Sequence, residues 1–109
     1  MAVDYEAVKH LINDYARDVC SSFSVDKVVL YGSYAKGSAD EQSDIDVCFF
    51  MHSFGELRRV DVIGELLRLM RNHKGVYFEP IAFPTSELYN DNPFVNEILR
   101  TGIEVSFGT

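Results

Sequence analysis

The sequence predicts an α/β or α+β domain in which helices pack on a small sheet. Three observations lead to this fold class: apolar residues that recur at helical spacing, short apolar runs of strand length, and helix start and stop signals between those runs. The 109 residues are enough for one domain, spanning 1–109, that buries roughly two-thirds of its unfolded surface. The chain is short for an enzyme with an enclosed pocket, so a partner subunit is plausible.

The predicted elements alternate along the chain. An amphipathic helix is expected from Asp4 to about Phe23, with its apolar stripe on one side. Ser53-Phe54-Gly55-Glu56 has the form of a capping box and predicts a second helix that ends near residue 74. Asn92-Pro93 predicts the start of a third helix, which Gly102 ends.

Strands are predicted at 27–31, 45–51 and 76–83, with a last one at 103–107. A short turn or helical start is expected at 32–37, followed by a polar loop at 38–42. Pro80 weakens the third strand or places it at an edge of the sheet, because proline cannot donate to a central ladder.

Composition excludes several classes of protein. The net charge of −7 argues against stable nucleic-acid binding, which needs clustered Lys and Arg. No apolar run approaches a membrane span, and the N-terminus lacks the order of a signal peptide. Cys20 and Cys48 are expected to be free core thiols. We therefore expect a cytoplasmic protein without a membrane association.

Gly32-Ser33, ten residues and then Asp44-Ile45-Asp46 form the most informative stretch of the chain. Glycine after a buried strand lets a phosphate approach the backbone, and the Ser33 hydroxyl can donate to it. Residues two apart on a strand share a face, so Asp44 and Asp46 can point at one site. Two such carboxylates can bind Mg²⁺. Alone, each half also fits a tight turn or a solvated strand edge; together they favour chemistry on a nucleoside triphosphate.

Other nucleotide-binding motifs are absent from the sequence. Neither the P-loop pattern nor Gly-x-Gly-x-x-Gly occurs. His10, His52 and His73 lack metal-ligand spacing.

Residues 28–50 resemble the minimal nucleotidyltransferases of the DNA polymerase beta superfamily. The resemblance is carried by Gly32-Ser33-Tyr34-Ala35-Lys36-Gly37 and Ser43-Asp44-Ile45-Asp46-Val47. It implies a small mixed sheet with helices packed on it. It also implies that Gly32, Ser33, Lys36 and Ser43 bind ATP, and that the two aspartates bind two Mg²⁺ ions.

In that family a third carboxylate on a later strand binds the catalytic metal and helps to deprotonate the nucleophile. Glu79 is the best candidate, because the residues on both sides of it are apolar. The family more often has Asp there, and Glu79 could instead lie on an exposed edge beside Pro80. Asp61, Glu65 and Glu87 are weaker candidates. Lys36, the only base near Asp40, Glu41, Asp44 and Asp46, could offset triphosphate charge or be a solvated loop lysine.

The resemblance implies transfer of AMP from ATP to a hydroxyl acceptor. Small stand-alone members resemble antitoxins paired with HEPN-domain toxins, so the expected acceptor is a tyrosine of such a partner. Two alternatives stay open. One is a binding module that neutralises its partner sterically, and the other is a transferase for small molecules resembling aminoglycoside-modifying enzymes.

Overall fold

A computed structural model describes residues 4–40 and 43–107, which form a four-stranded mixed sheet with helices on both faces. The strands lie in the order β3-β2-β1-β4, with β1 antiparallel to both neighbours and β2 parallel to β3. The helices are α1 (Tyr5–Cys20), α2 (Gly32–Lys36), α3 (Arg59–Met70) and α4 (Pro93–Thr101). The strands are β1 (Val25–Tyr31), β2 (Ile45–Met51), β3 (Phe78–Pro84) and β4 (Ile103–Glu104). A 3₁₀ helix, which the sequence did not predict, covers Thr85–Tyr89.

The two faces of the sheet carry separate apolar clusters. Helices α1 and α3 cover the larger cluster, in which the fully buried Tyr15 donates its hydroxyl to the Leu66 carbonyl at 2.6 Å and stacks on Phe78. Helix α4 covers the smaller cluster and packs Val95 and Ile98 against the other face. Because alternate strand residues point to opposite faces, β2 is buried on both sides over most of its length.

Most boundaries follow the local sequence. Asp4 accepts from the backbone amides of Glu6 and Ala7, and so caps α1 as its position before the apolar stripe suggests. Asn92 caps α4 in the same way, with Pro93 in the first turn. Strand β2 has the predicted bounds.

The predicted start of the second long helix is wrong. Ser53 does not open it, because its hydroxyl accepts from the Gly55 amide in a turn where Gly55 has φ +61°. Helix α3 begins six residues later at Arg59, and the Asp61 carboxylate accepts from the Arg58 backbone amide at 2.9 Å. The buried residues of α3 are Val62, Leu66 and Leu69, whereas Val60 and Leu67 are exposed.

Strand β3 lies at an edge of the sheet, as Pro80 indicated. Ile45 donates its amide to the Tyr77 carbonyl, so in the parallel ladder the odd-numbered residues of β3 bond to β2 and the even-numbered ones face outward. Pro80 and Pro84 are therefore at outward positions, where a missing N–H costs no ladder bond.

Two smaller expectations are corrected. The last strand is only Ile103–Glu104, extended by a hydrogen bond from the Val105 amide to the Val28 carbonyl. Both cysteines are free, but only Cys48 is buried; Cys20 is exposed at the end of α1. Within the described ranges, no helix is long and apolar enough to cross a membrane.

Two glycines in helical surroundings provide a matched test of packing. A Cβ at Gly102 would lie 2.5 Å from the Ile98 carbonyl oxygen and 2.6 Å from Val29, whereas one at Gly64 would meet nothing within 4 Å. We expect Gly102→Ala to lower the free energy of unfolding by about 1–3 kcal/mol and Gly64→Ala to raise it by about 0.5–1 kcal/mol. Urea unfolding followed by circular dichroism measures both, and a stabilising Gly102→Ala would contradict the packing of α4 against β1.

Candidate active site

Strand pairing brings together two carboxylates that are 33 residues apart in sequence. In the parallel β2–β3 ladder Asp46 is the register partner of Glu79, and in the antiparallel β1–β2 ladder it is the partner of Tyr31. All three therefore lie side by side on the face that α4 partly covers. Asp46 is half-buried and Glu79 is exposed, so the pair opens to solvent at the start of β2 and β3.

The electrostatics of Asp46 show how close this pairing is. Burial, a side-chain hydrogen bond with Glu79, and the negative charges of Glu79 and Asp44 raise the pKa of Asp46 to about 6. Two carboxyl groups can hydrogen-bond only when one of them carries a proton, so below this pKa the pair shares a proton. Burial and the neighbouring Asp46, Cys48 and Glu79 raise the pKa of Tyr31, which lies beside Asp46 on β1.

Gly32 connects the phosphate-type turn to this pair. Gly32 has φ +70°, and a Cβ added to it would overlap the Asp46 carboxylate, because the Asp46 Cγ would lie only 3.0 Å from that Cβ. Glycine is therefore needed here both for the left-handed backbone and for space. The Gly-Ser turn and the first carboxylate of the pair thus form one continuous surface.

Gly32 and Ser33 are the first two residues of helix α2. Its N-cap is Tyr31, which makes no side-chain capping bond. Ser33 is half-buried in the first turn, at the end of the helix where backbone amides could receive a phosphate. Lys36 is exposed in the last turn and forms no ion pair with any described residue, so its ammonium is available to a ligand.

Asp44 and Ser43 precede β2 in a loop that is held to α2. The Tyr34 hydroxyl donates to the Ser43 carbonyl at 3.3 Å, and the Ser43 hydroxyl accepts from the Asp40 amide at 3.1 Å. The Ser43 side chain is therefore used in closing the loop, and Asp44 is exposed immediately after it. Loop residues 41 and 42, at the end of the predicted polar segment, lie outside the described residues.

The chemistry of these acids suits a hard cation, but their side chains as placed do not form a complete cation site. Carboxylate oxygens are the donors that Mg²⁺ prefers, and a carboxyl pair that shares a proton offers a cation the place of that proton. No three His, Cys, Asp or Glu side chains of the described residues converge closely enough to hold an ion as they stand.

The weaker acidic candidates have structural partners instead. Asp61 caps α3, Glu65 binds Arg68 at 2.6 Å, and Glu87 accepts from the Asn92 amide group at 3.1 Å. Tyr31 and Tyr34, which flank the Gly-Ser turn, were not among the predicted site residues. The alternation along β1 could have placed Tyr31 opposite a strand residue of the motif, but the loop contact of Tyr34 left no sequence signal.

Comparisons with known proteins point in one direction. Residues 12–98 match the model of the nucleotidyltransferase domain family. A protein of Methanocaldococcus jannaschii named as a putative protein adenylyltransferase is 26% identical over 97 residues, which cover 87% of this chain and 95% of that protein. The crystal structure of a putative nucleotidyltransferase from Sulfolobus solfataricus superimposes with a TM-score of 0.61 at 19% identity, covering 90% of this chain and 78% of that one. The last likeness establishes the fold.

The raised pKa of Asp46 predicts a pH-dependent stability in metal-free buffer. The folded state binds this proton more tightly than the unfolded chain, so the contribution of Asp46 to stability is fully present below about pH 4 and is lost as the pH rises through about 6. Asp46→Asn should remove this part of the pH dependence. It should raise the free energy of unfolding at pH 7 by roughly 1–2 kcal/mol, allowing for solvent screening. Urea titrations from pH 4 to 7 with EDTA measure it, and equal slopes in both proteins would argue against the shared proton.

The contact between Gly32 and Asp46 predicts a coupling between two substitutions. Gly32→Ala should destabilise the fold more than Gly37→Ala, by at least about 1 kcal/mol, because both glycines have positive φ but only the first lacks room for a Cβ. In an Asp46→Ala background this excess should shrink. Thermal or urea unfolding of the wild type, the three single variants and the two double variants measures this coupling, and an unchanged excess would mean that the overlap is not with Asp46.

Proposed function

Because the chain belongs to the nucleotidyltransferase domain family, we propose that it transfers AMP from ATP to a hydroxyl group of a partner protein, with Mg²⁺ at the acidic site. The observation that carries this proposal is the three-part surface in which Gly32 lies against Asp46 and Asp46 is paired with Glu79. A phosphate-binding turn and two carboxylates in direct contact are suited to the reaction of a triphosphate with a hydroxyl group.

In this proposal each reactant occupies its own side of the site. Gly32 and Ser33 follow β1 and would hold the triphosphate, with Lys36 offsetting part of its charge. Glu79 is on β3, on the opposite side of Asp46, where the acceptor hydroxyl would approach. The α-phosphorus would then lie over β2, between the two groups.

Transfer requires one bond to form and one to break. The acceptor oxygen forms a bond to the α-phosphorus while the bond from that phosphorus to the bridging oxygen breaks, and pyrophosphate leaves. The hydroxyl proton passes to the Glu79 carboxylate, which is exposed and adjacent to Asp46. Ser33 and the amides of the turn hold the departing phosphates in line.

Asp44, Asp46 and Glu79 would hold the two Mg²⁺ ions. Bound there, the metal would offset the charge of the triphosphate and favour the hydroxyl in its deprotonated form. The energetic cost of placing Asp46 beside Glu79 supports this role, because an unpaired cluster of acids gains stability when a cation binds.

A protein acceptor is supported by the name of the archaeal relative, a putative protein adenylyltransferase. The exposure of Glu79 also favours an acceptor supplied by another polypeptide. We propose that this partner is a HEPN-domain toxin, that a tyrosine of it is the acceptor, and that the modification makes the chain an antitoxin.

Labelled ATP tests the proposal directly. The protein is incubated with Mg²⁺, ATP labelled on the α-phosphate and a HEPN-domain partner, and transfer of label is measured after electrophoresis. We expect transfer that Asp44→Asn or Asp46→Asn lowers at least about 100-fold, and Glu79→Gln by a similar factor. Asp14→Asn, an exposed carboxylate on α1, is the matched control and should transfer normally.

The same experiment separates the alternatives. Full neutralisation of the partner without label, and with equal affinity in the presence and absence of ATP and Mg²⁺, would replace the transferase by a steric binding module. Labelling of an aminoglycoside-type compound in place of the protein would indicate a small-molecule transferase.

A further inference from the structure

A second concave surface begins where the carboxylate pair ends. It runs along the free edge of β3 and has a volume of about 500 Å³. Residues 80–83 form its floor, Arg59 and Ile63 of α3 form one wall, and Asn92 and Phe94 at the start of α4 form the other. We call this surface the edge groove.

We propose that the edge groove binds an extended segment of the acceptor protein, with an apolar side chain in the groove and a carboxylate of that segment at Arg59. This inference rests on the proposed function, because it identifies what lies next to the acceptor hydroxyl. It adds a specificity site that the carboxylate pair and the Gly-Ser turn do not provide.

The position of the groove places it on the acceptor side. Ile81 and Phe83 share the face of Glu79 and follow it by two and four residues, which corresponds to about 7 and 13 Å along a strand. The Gly-Ser turn, which would bind the triphosphate, follows β1 and so lies on the other side of Asp46 from Glu79. If an apolar residue of the bound segment lies in the groove, the residue two to four positions away from it in that segment would lie over Glu79.

The chemistry of the groove favours an apolar anchor and one negative charge. Phe94 is 54% exposed, an unusual state for an aromatic side chain beside other apolar groups. Both polar groups of Asn92 are already used, since its oxygen caps α4 and its nitrogen donates to Glu87. They are not left to read a nucleotide base.

Arg59 supplies the positive charge at the rim. Its guanidinium lies 4.5 Å from the centre of the Phe83 ring, which fixes it over the groove, and it forms no ion pair within the described ranges. In a chain of net charge −7, this cation is a local exception that a carboxylate of the segment would complement.

The backbone of β3 limits how an incoming segment could pair with it, so side-chain contacts would contribute more to binding of the segment than an added strand would. Pro80 and Pro84 remove two outward N–H groups, so an incoming strand could not form a continuous ladder. Between them only Ala82 presents both an N–H and a carbonyl to the open edge. One residue of the segment could bond there, while its neighbours depend on the groove and on Arg59.

Four labelled peptides test the proposal by fluorescence anisotropy with the full chain and no ATP. Each has one central tyrosine, flanked three residues away on each side by Leu or Asn, with Glu or Lys next to it. We expect the Leu peptides to bind at least tenfold more tightly than the Asn peptides. Among the Leu peptides, Glu should be preferred over Lys by roughly three- to fivefold.

Two variants assign these preferences to residues. Arg59→Glu should reverse the preference between Glu and Lys, whereas Arg71→Glu, the same charge change at the other end of α3, should keep it. Phe94→Ser should remove most of the preference for Leu, whereas Leu67→Ser, another exposed apolar residue, should not. All four substituted side chains are exposed, so the fold should be retained, and circular dichroism checks this.

Equal binding of the four peptides, or a charge preference that Arg59→Glu leaves unchanged, would overturn the proposal. So would a dimer that Phe94→Ser converts to a monomer in light scattering while no peptide binds selectively, because the groove would then hold a second copy of the chain. AMP transfer is measured separately on the same peptides. Selective binding without AMP transfer would overturn the proposed function but support the edge groove as a binding site. AMP transfer at equal rates to all four peptides would support the proposed function but overturn the role of the edge groove.

Discussion

The parallel pairing of β2 with β3 is the constraint on which the rest of the site depends. It sets Asp46 opposite Glu79, and these two acids repel each other when both are ionised, which destabilises the fold. The opposite face of the same two strands offsets this cost, because there Tyr15 packs on Phe78 and bonds to the Leu66 carbonyl. The sheet is thus stabilised from one side and carries a strained cluster of charge on the other.

The left-handed turn at Gly32 adds a second constraint to the first. Because no side chain fits between this residue and the Asp46 carboxylate, the position of the turn and the position of the acid cannot vary independently. Tyr34 extends this coupling to the loop before β2 through its bond to the Ser43 carbonyl. The parts that would hold phosphate and metal therefore behave as one unit, as precise positioning of reacting groups requires.

The strand order gives the proposed reaction a direction across the sheet. The turn after β1, the aspartate on β2 and the glutamate on β3 follow one another, and the edge groove continues the series beyond β3. Because β3 is an edge strand, the end of this series is open to another molecule. The two prolines that keep the edge from pairing freely with other strands also leave side-chain contacts to select the partner.

Sequence by itself determined the class of fold, the bounds of β2 and the cap at Asn92, because these depend on local capping and on short apolar patterns. For β3, Pro80 left an edge position as one of two possibilities. The sequence misplaced the start of α3, since Ser53 forms a turn with Gly55 and only packing on the sheet selects Val62, Leu66 and Leu69 as the buried face. The motif around Gly32 and Asp46 was visible for the same local reason. What only the tertiary structure decided is that Glu79 is paired with Asp46, that Gly32 has no room for a side chain, and that Arg59 and Phe94 face one groove. Each of these features depends on strand register or on contact between segments that are distant in sequence. Strand register and such contacts leave no periodic pattern in the sequence.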